Sequence, residues 1–137
     1  MSFFGNKSNK ASSIDSLIGA GTTVNGDVLF TGGLRVDGVV KGNIKSVGDK
    51  TGTLVLSELA KVEGEIDVGH VVINGTVAGP VRAKEYLELL PKARVTGDVS
   101  YKTIEIHVGA IVMGRLVHEG DTKLIDKVIE FKPATGN

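Results

Sequence analysis

A five-residue pattern recurs six times in this chain, and it restricts the possible folds more than any other feature. The pattern is Val, any residue, Gly, any residue, then an aliphatic residue. It reads Val24-Asn25-Gly26-Asp27-Val28, Val40-Lys41-Gly42-Asn43-Ile44 and Val62-Glu63-Gly64-Glu65-Ile66 in the first half. It continues as Val77-Ala78-Gly79-Pro80-Val81, Val95-Thr96-Gly97-Asp98-Val99 and Val112-Met113-Gly114-Arg115-Leu116. Successive glycines lie 16, 22, 15, 18 and 17 residues apart. Recurrence at a nearly fixed interval marks a repeat architecture, in which each unit buries its apolar side by stacking on the next.

A second alternating segment precedes most copies: Leu34-Arg35-Val36, Leu54-Val55-Leu56, Val71-Val72-Ile73, Leu87-Glu88-Leu89 and Ile104-Glu105-Ile106. Two strands of period two inside about 17 residues leave room for a third short strand and three corners. The expectation is therefore an all-β, single-domain β-helix with three faces and about six windings. An antiparallel sandwich also uses short strands and glycine turns, but it does not require the Val-x-Gly-x-aliphatic phase to persist. No six-residue clock is kept, so the longer and less regular coil points to a right-handed helix. The 22-residue interval contains Gly48-Asp49-Lys50-Thr51-Gly52, expected as a loop that protrudes from the coil. Composition agrees: there are 19 Gly, aromatics are 4%, and the apolar content is mostly the branched residues that favour strands. Phe30 is expected as a core or corner filler.

Residues 14–131 form the predicted β-helix. Residues 1–13 and 132–137 are expected as short disordered tails. A solenoid has two open ends, each presenting unpaired backbone groups around an apolar core. Monomeric repeat proteins cover such ends with polar caps. The terminal segments here, Ile14-Asp15-Ser16-Leu17-Ile18 and Leu124-Ile125-Asp126-Lys127-Val128-Ile129-Glu130-Phe131, instead read as strands with one apolar side. A homo-polymer interface is therefore predicted at Ile14, Leu17 and Ile18 at one end. At the other end it is predicted at Leu124, Ile125, Val128, Ile129 and Phe131.

The same residues argue against most chemistry. With 16 Lys plus Arg against 16 Asp plus Glu, no basic face for nucleic acid is expected. There is no Cys, hence no disulfide or thiolate metal site. No apolar run approaches the ~20 residues of a spanning helix, and the first residues lack the apolar core of a signal peptide. His70, His107 and His118 fall in different phases of the coil, so no metal site is expected from them. The acids Asp27, Asp37, Glu63, Glu65 and Asp98 alternate with apolar neighbours and should face solvent. No phosphate-binding loop or dinucleotide fingerprint occurs. Catalytic residues and cofactors are expected to be absent, and growth of a polymer should need no nucleotide.

The strand Leu34-Arg35-Val36-Asp37-Gly38 leading into Val40-Lys41-Gly42-Asn43-Ile44, and its echo from Val71 to Gly79, resemble the bactofilin family. The resemblance covers Ile14 to about Phe131. It implies a right-handed β-helical core and a bacterial cytoskeletal protein that assembles without nucleotide into non-polar filaments. Such filaments scaffold cell shape or localised envelope processes at the inner face of the membrane, several alongside a peptidoglycan-modifying enzyme. The proline-rich tails that many members carry are much longer than those seen here. The alternative reading is a non-polymerising β-helical adaptor that recruits or regulates such an enzyme. Phe3 and Phe4 beside Lys7 and Lys10 form a small apolar and cationic patch. This patch is expected to attract anionic inner-membrane lipids weakly per copy and strongly when repeated along a filament.

Overall fold

The computed structural model describes residues 14–48 and 51–120, and every regular element among the described residues is a β-strand. The first winding consists of β1 (Ser16–Ile18), β2 (Thr23–Asn25) and β3 (Val28–Phe30). The second consists of β4 (Gly33–Val36), β5 (Val39–Lys41) and β6 (Ile44–Ser46). The third begins with β7 (Thr53–Leu56) and β8 (Lys61–Glu63), then runs into the first half of β9 (Ile66–Ile73). Three further windings follow through β10 (Thr76–Ala78), β11 (Val81–Leu89), β12 (Arg94–Thr96), β13 (Val99–Ile106), β14 (Ile111–Met113) and β15 (Leu116–His118). Every pairing is parallel and joins a strand to its equivalent one winding away. The result is a parallel β-solenoid of about six windings, as the repeat predicts.

Register converts the sequence pattern into three faces. On one face the leading valines of the six motifs form a single column: Val24, Val40, Val62, Val77, Val95 and Val112. Their closing residues form another column on the next face: Val28, Ile44, Ile66, Val81, Val99 and Leu116. The third face carries Leu34, Leu54, Val71, Leu87 and Ile104, beside Val36, Leu56, Ile73, Leu89 and Ile106. Side chains alternate across a strand, so the inward residues stack aliphatic on aliphatic. Between them, positions such as Lys61, Glu63, Arg94 and Thr96 stay exposed. Burying a Val or Leu side chain completely stabilises by about 1.5–3 kcal/mol, and the columns repeat that gain in every winding. At ~4.8 Å per winding the stack is roughly 25–30 Å long.

The motif glycine makes the corner between its two faces. A Cβ on Gly42, Gly64, Gly79, Gly97 or Gly114 would strike the backbone of the motif glycine one winding below. Only hydrogen fits inside such a close stack of corners. Gly79 and Gly97 also hold φ of 150° and 142°, a region side chains disfavour.

The third corner departs from expectation. Three separate strands per winding are predicted, and the first two windings keep them. From β9 onward the second and third faces share one continuous strand, bent at a register shift. Gly69 in β9 stands opposite two residues, Lys84 and Glu85, in β11, and these in turn oppose Lys102 in β13. An extra residue of this kind is a β-bulge, which bends a strand without ending its ladder. Between the second and third windings the connection is instead residues 47–52, which hold the insertion anticipated from the 22-residue interval; residues 49–50 within it are not described. Phe30 is buried at the same corner, where a Cβ on Gly52 would crowd its ring.

Candidate functional site

The two ends of the solenoid form the candidate site. In the middle windings the inward columns are sealed: Val40, Val62, Val77 and Val95 have zero exposure, as do Ile44, Leu54, Leu56 and Ile73. Toward the ends the same columns open. Ile18, Val24 and Val28 are only partly buried in the first winding. In the last, Ile106 is 48% exposed and Leu116 is 46% exposed. These are core positions with no described winding beyond them. The edge strands β1, β2 and β3 at one end, and β14 and β15 at the other, each pair on one side only among the described residues. Among the described residues each end therefore joins strand edges without a partner to exposed aliphatic side chains, the combination that templates further strand pairing.

The predicted end residues divide in three ways. Ile18 lies in the inward column over Val36 and packs against the core. Leu17 is the outward neighbour, paired with Arg35 and 61% exposed, and Ile14 is exposed just before β1. Leu124, Ile125, Val128, Ile129 and Phe131 lie outside the described residues, as do Phe3, Phe4, Lys7 and Lys10. Sequence reasoning placed the C-terminal contact wholly in that later segment and missed Ile106, Ile111, Met113 and Leu116, all exposed in the last described winding. The signal was present, since Leu116 closes the last copy of the motif. Ile111 and Met113 are also apolar where the same columns hold Arg94 and Thr96 one winding below.

The polar residues at the corners do more than face solvent. Asp27 Oδ1 accepts the backbone N–H of Asn43 at 2.9 Å, and Asn43 Oδ1 accepts that of Glu65 at 2.8 Å. Asp98 Oδ1 likewise accepts the N–H of Arg115 at 3.0 Å. Each follows a motif glycine and clips its winding to the next; Pro80, at the same position, has no N–H to offer. The Arg115 guanidinium also donates to Asp98 Oδ2 at 3.0 Å, and this bond, with the backbone one, holds the Asp98 carboxyl below its usual range. A hydrogen bond from Ser57, then Arg35, does the same for Asp37, and Lys92 does so for Glu58.

His70 pairs with Thr53 and Tyr86 on one face, whereas His118 pairs with Tyr101 on another. His107 begins the turn after β13, where its Nε2 lies 2.8 Å from Glu88 Oε2. Two shallow hollows, of about 330 and 280 Å³, lie on the sides of the rod. The first is bordered by the Arg35–Asp37 ion pair and the second by Asp27, Lys45 and Glu65. Among the described residues no helix is long and apolar enough to cross a membrane.

A family model described as Bactofilin, polymer-forming cytoskeletal, matches residues 16–117. The chain is similar to two Myxococcus xanthus (strain DK1622) proteins. Bactofilin BacP is 29% identical over 104 residues, covering 74% of this chain and 43% of BacP. Bactofilin BacO is 30% identical over 102 residues, covering 74% of this chain and 78% of BacO. The chain thus spans less than half the length of BacP. No solved structure gives a significant match.

Proposed function

We propose that this chain, which belongs to the bactofilin family of polymer-forming cytoskeletal proteins, assembles end to end into filaments without nucleotide. The observation that carries the reading is the opening of the core columns toward the ends, from zero exposure at Val40 and Val95 to partial burial at Ile18 and Val24 at one end and about half exposure at Ile106 and Leu116 at the other. Stacking another subunit there would bury those side chains and pair the free strand edges together. Apolar burial contributes about 25 cal/mol per Å², and a rod joined at both ends propagates where a ring would require curvature. Junctions between like ends are isologous and give a filament without polarity, as the family resemblance implies.

The N-terminal surface comprises Ile14, Leu17 and Ile18. The C-terminal surface comprises the last described winding together with Leu124, Ile125, Val128, Ile129 and Phe131. Phe3, Phe4, Lys7 and Lys10 attach the filament to the inner face of the membrane, where it scaffolds cell shape or local envelope growth beside a peptidoglycan-modifying enzyme. Electron microscopy of the purified chain, with and without added nucleotide, tests assembly. Filaments in both samples support the reading; a dispersed monomer at high concentration contradicts it. Liposome co-sedimentation tests membrane attachment: binding equal to that of a chain starting at Ser12 would remove the N-terminal patch from the account.

A further inference from the structure

On the outer side of the rod, register places Glu105 directly beside Glu88 of the preceding winding. Two carboxylates thus share neighbouring positions across one strand spacing, about 4.8 Å, a pairing unfavourable by itself. In earlier windings the same column holds Leu17, Arg35, Val55 and Val72, so its packing does not call for acid. His107 brings its imidazole to both carboxylates. Its Nε2 lies 2.8 Å from Glu88 Oε2 and 3.4 Å from Glu105 Oε2. One donor atom from each of the three side chains lies within 4.8 Å of the other two. Tyr86 donates its hydroxyl proton to Glu105 Oε1 at 2.7 Å, which fixes that carboxylate's rotation while Oε2 faces the imidazole.

We infer that Glu88, Glu105 and His107 form a binding site for a divalent transition metal of the zinc class. The donor set is one imidazole nitrogen and two carboxylate oxygens, the mixture zinc accepts, with water completing the shell. Calcium and magnesium are disfavoured because they require six or more ligands, nearly all oxygen. Geometry agrees with the chemistry. Metal–ligand distances near 2.1 Å put tetrahedral ligands about 3.4 Å apart, the separation already present between Glu105 and His107. The Glu88 contact has to open by only about 0.6 Å on that geometry, a small rotation for side chains at the surface. The Tyr86 hydroxyl is the kind of outer hydrogen bond that orients a ligating carboxylate. A bound ion would replace the repulsion between the stacked carboxylates with a link between the fifth and sixth windings.

The test is calorimetric titration of zinc chloride into the untagged full-length chain after chelator treatment, with magnesium and calcium as competitors. The expected result is one saturable site per chain, undisturbed by either competitor, with a higher melting temperature when loaded. Glu88→Gln and His107→Ala each weaken binding at least 10-fold while leaving the circular dichroism of the solenoid intact, and Tyr86→Phe weakens it about 10-fold. Cobalt bound in place of zinc gives the visible bands of a tetrahedral ion, and these disappear in His107→Ala. The absence of saturable zinc binding overturns the inference. So does binding that persists in the Glu88→Gln, His107→Ala double variant, or that His118→Ala removes equally.

Discussion

The backbone carbonyl of Gly64 occupies the space that a Cβ on Gly79 would need. The contact repeats along the whole corner, from Gly26 under Gly42 to Gly97 under Gly114. It explains why the motif keeps glycine at its centre while its second position varies.

Gly79→Ala is accordingly expected to cost well over about 1 kcal/mol, because the new Cβ meets both a positive φ and a backbone wall. Chemical denaturation followed by far-ultraviolet circular dichroism measures it. Gly21→Ala is the informative comparison. Its φ is also positive, but nothing lies within 4 Å of an added Cβ, so the difference between the two variants isolates the steric part.

The columns carry the stability of the rod. Leu87, fully buried between Val71 and Ile104, should lose about 2–5 kcal/mol as Leu87→Ala. Leu59 is 66% exposed in a turn of the third winding, and Leu59→Ala should stay within about 0.5 kcal/mol of the parent. Melting curves of the two variants would expose any error in the assignment of inside and outside.

Tyr86 offers a pH-dependent readout. Its hydrogen bond to Glu105, then burial and the nearby Glu88 charge, pushes the phenol up to about 12. Below pH ~10 both folded and unfolded chains keep the proton. Between about 10 and 12 the unfolded chain releases it first, so this group's contribution to stability is lost as pH rises through that window. In chelated buffer, the phenolate absorbance of a Tyr101→Phe variant should appear with a midpoint near 12. Adding Glu105→Gln should return the midpoint toward the ordinary value near 10; no movement would contradict the assigned hydrogen bond.

Much of the architecture was legible because it depends on what is inside. Val24 to Val112 and Val28 to Leu116 could be paired from the motif alone, since each column repeats one residue class at one phase. Other features depend on how windings lie over one another, which spacing does not record. The bend at Gly69 and the Lys84-Glu85 bulge could not be read, because an alternating strand looks the same whether or not it turns. The amide ladder is a further case: the solvent-facing reading of Asp27 and Asp98 does not register their bonds to the next winding, and Asn43 carries no charge to draw attention, because the partner is a backbone N–H one winding away. Glu88, Glu105 and His107 escaped for a similar reason. A search for three converging histidines does not find one histidine beside two carboxylates that become neighbours only through strand register.

The terminal segments suggest the end surfaces, and Ile14 and Leu17 are exposed at the first winding. At the other end the exposed apolar positions among the described residues include Ile106 and Ile111 together with Met113 and Leu116 of the final motif copy. Half-exposed Leu116 is a core-column residue with no described winding beyond it.

The most direct measurement is therefore sedimentation and electron microscopy of Leu116→Arg beside Leu59→Arg, with circular dichroism confirming that both retain the β-solenoid. Leu116 lies in the last described winding and Leu59 on the side of the rod. The account predicts that Leu116→Arg remains dispersed while Leu59→Arg forms filaments like the parent. Unchanged pelleting of Leu116→Arg, or equal loss of assembly in both variants, would contradict it.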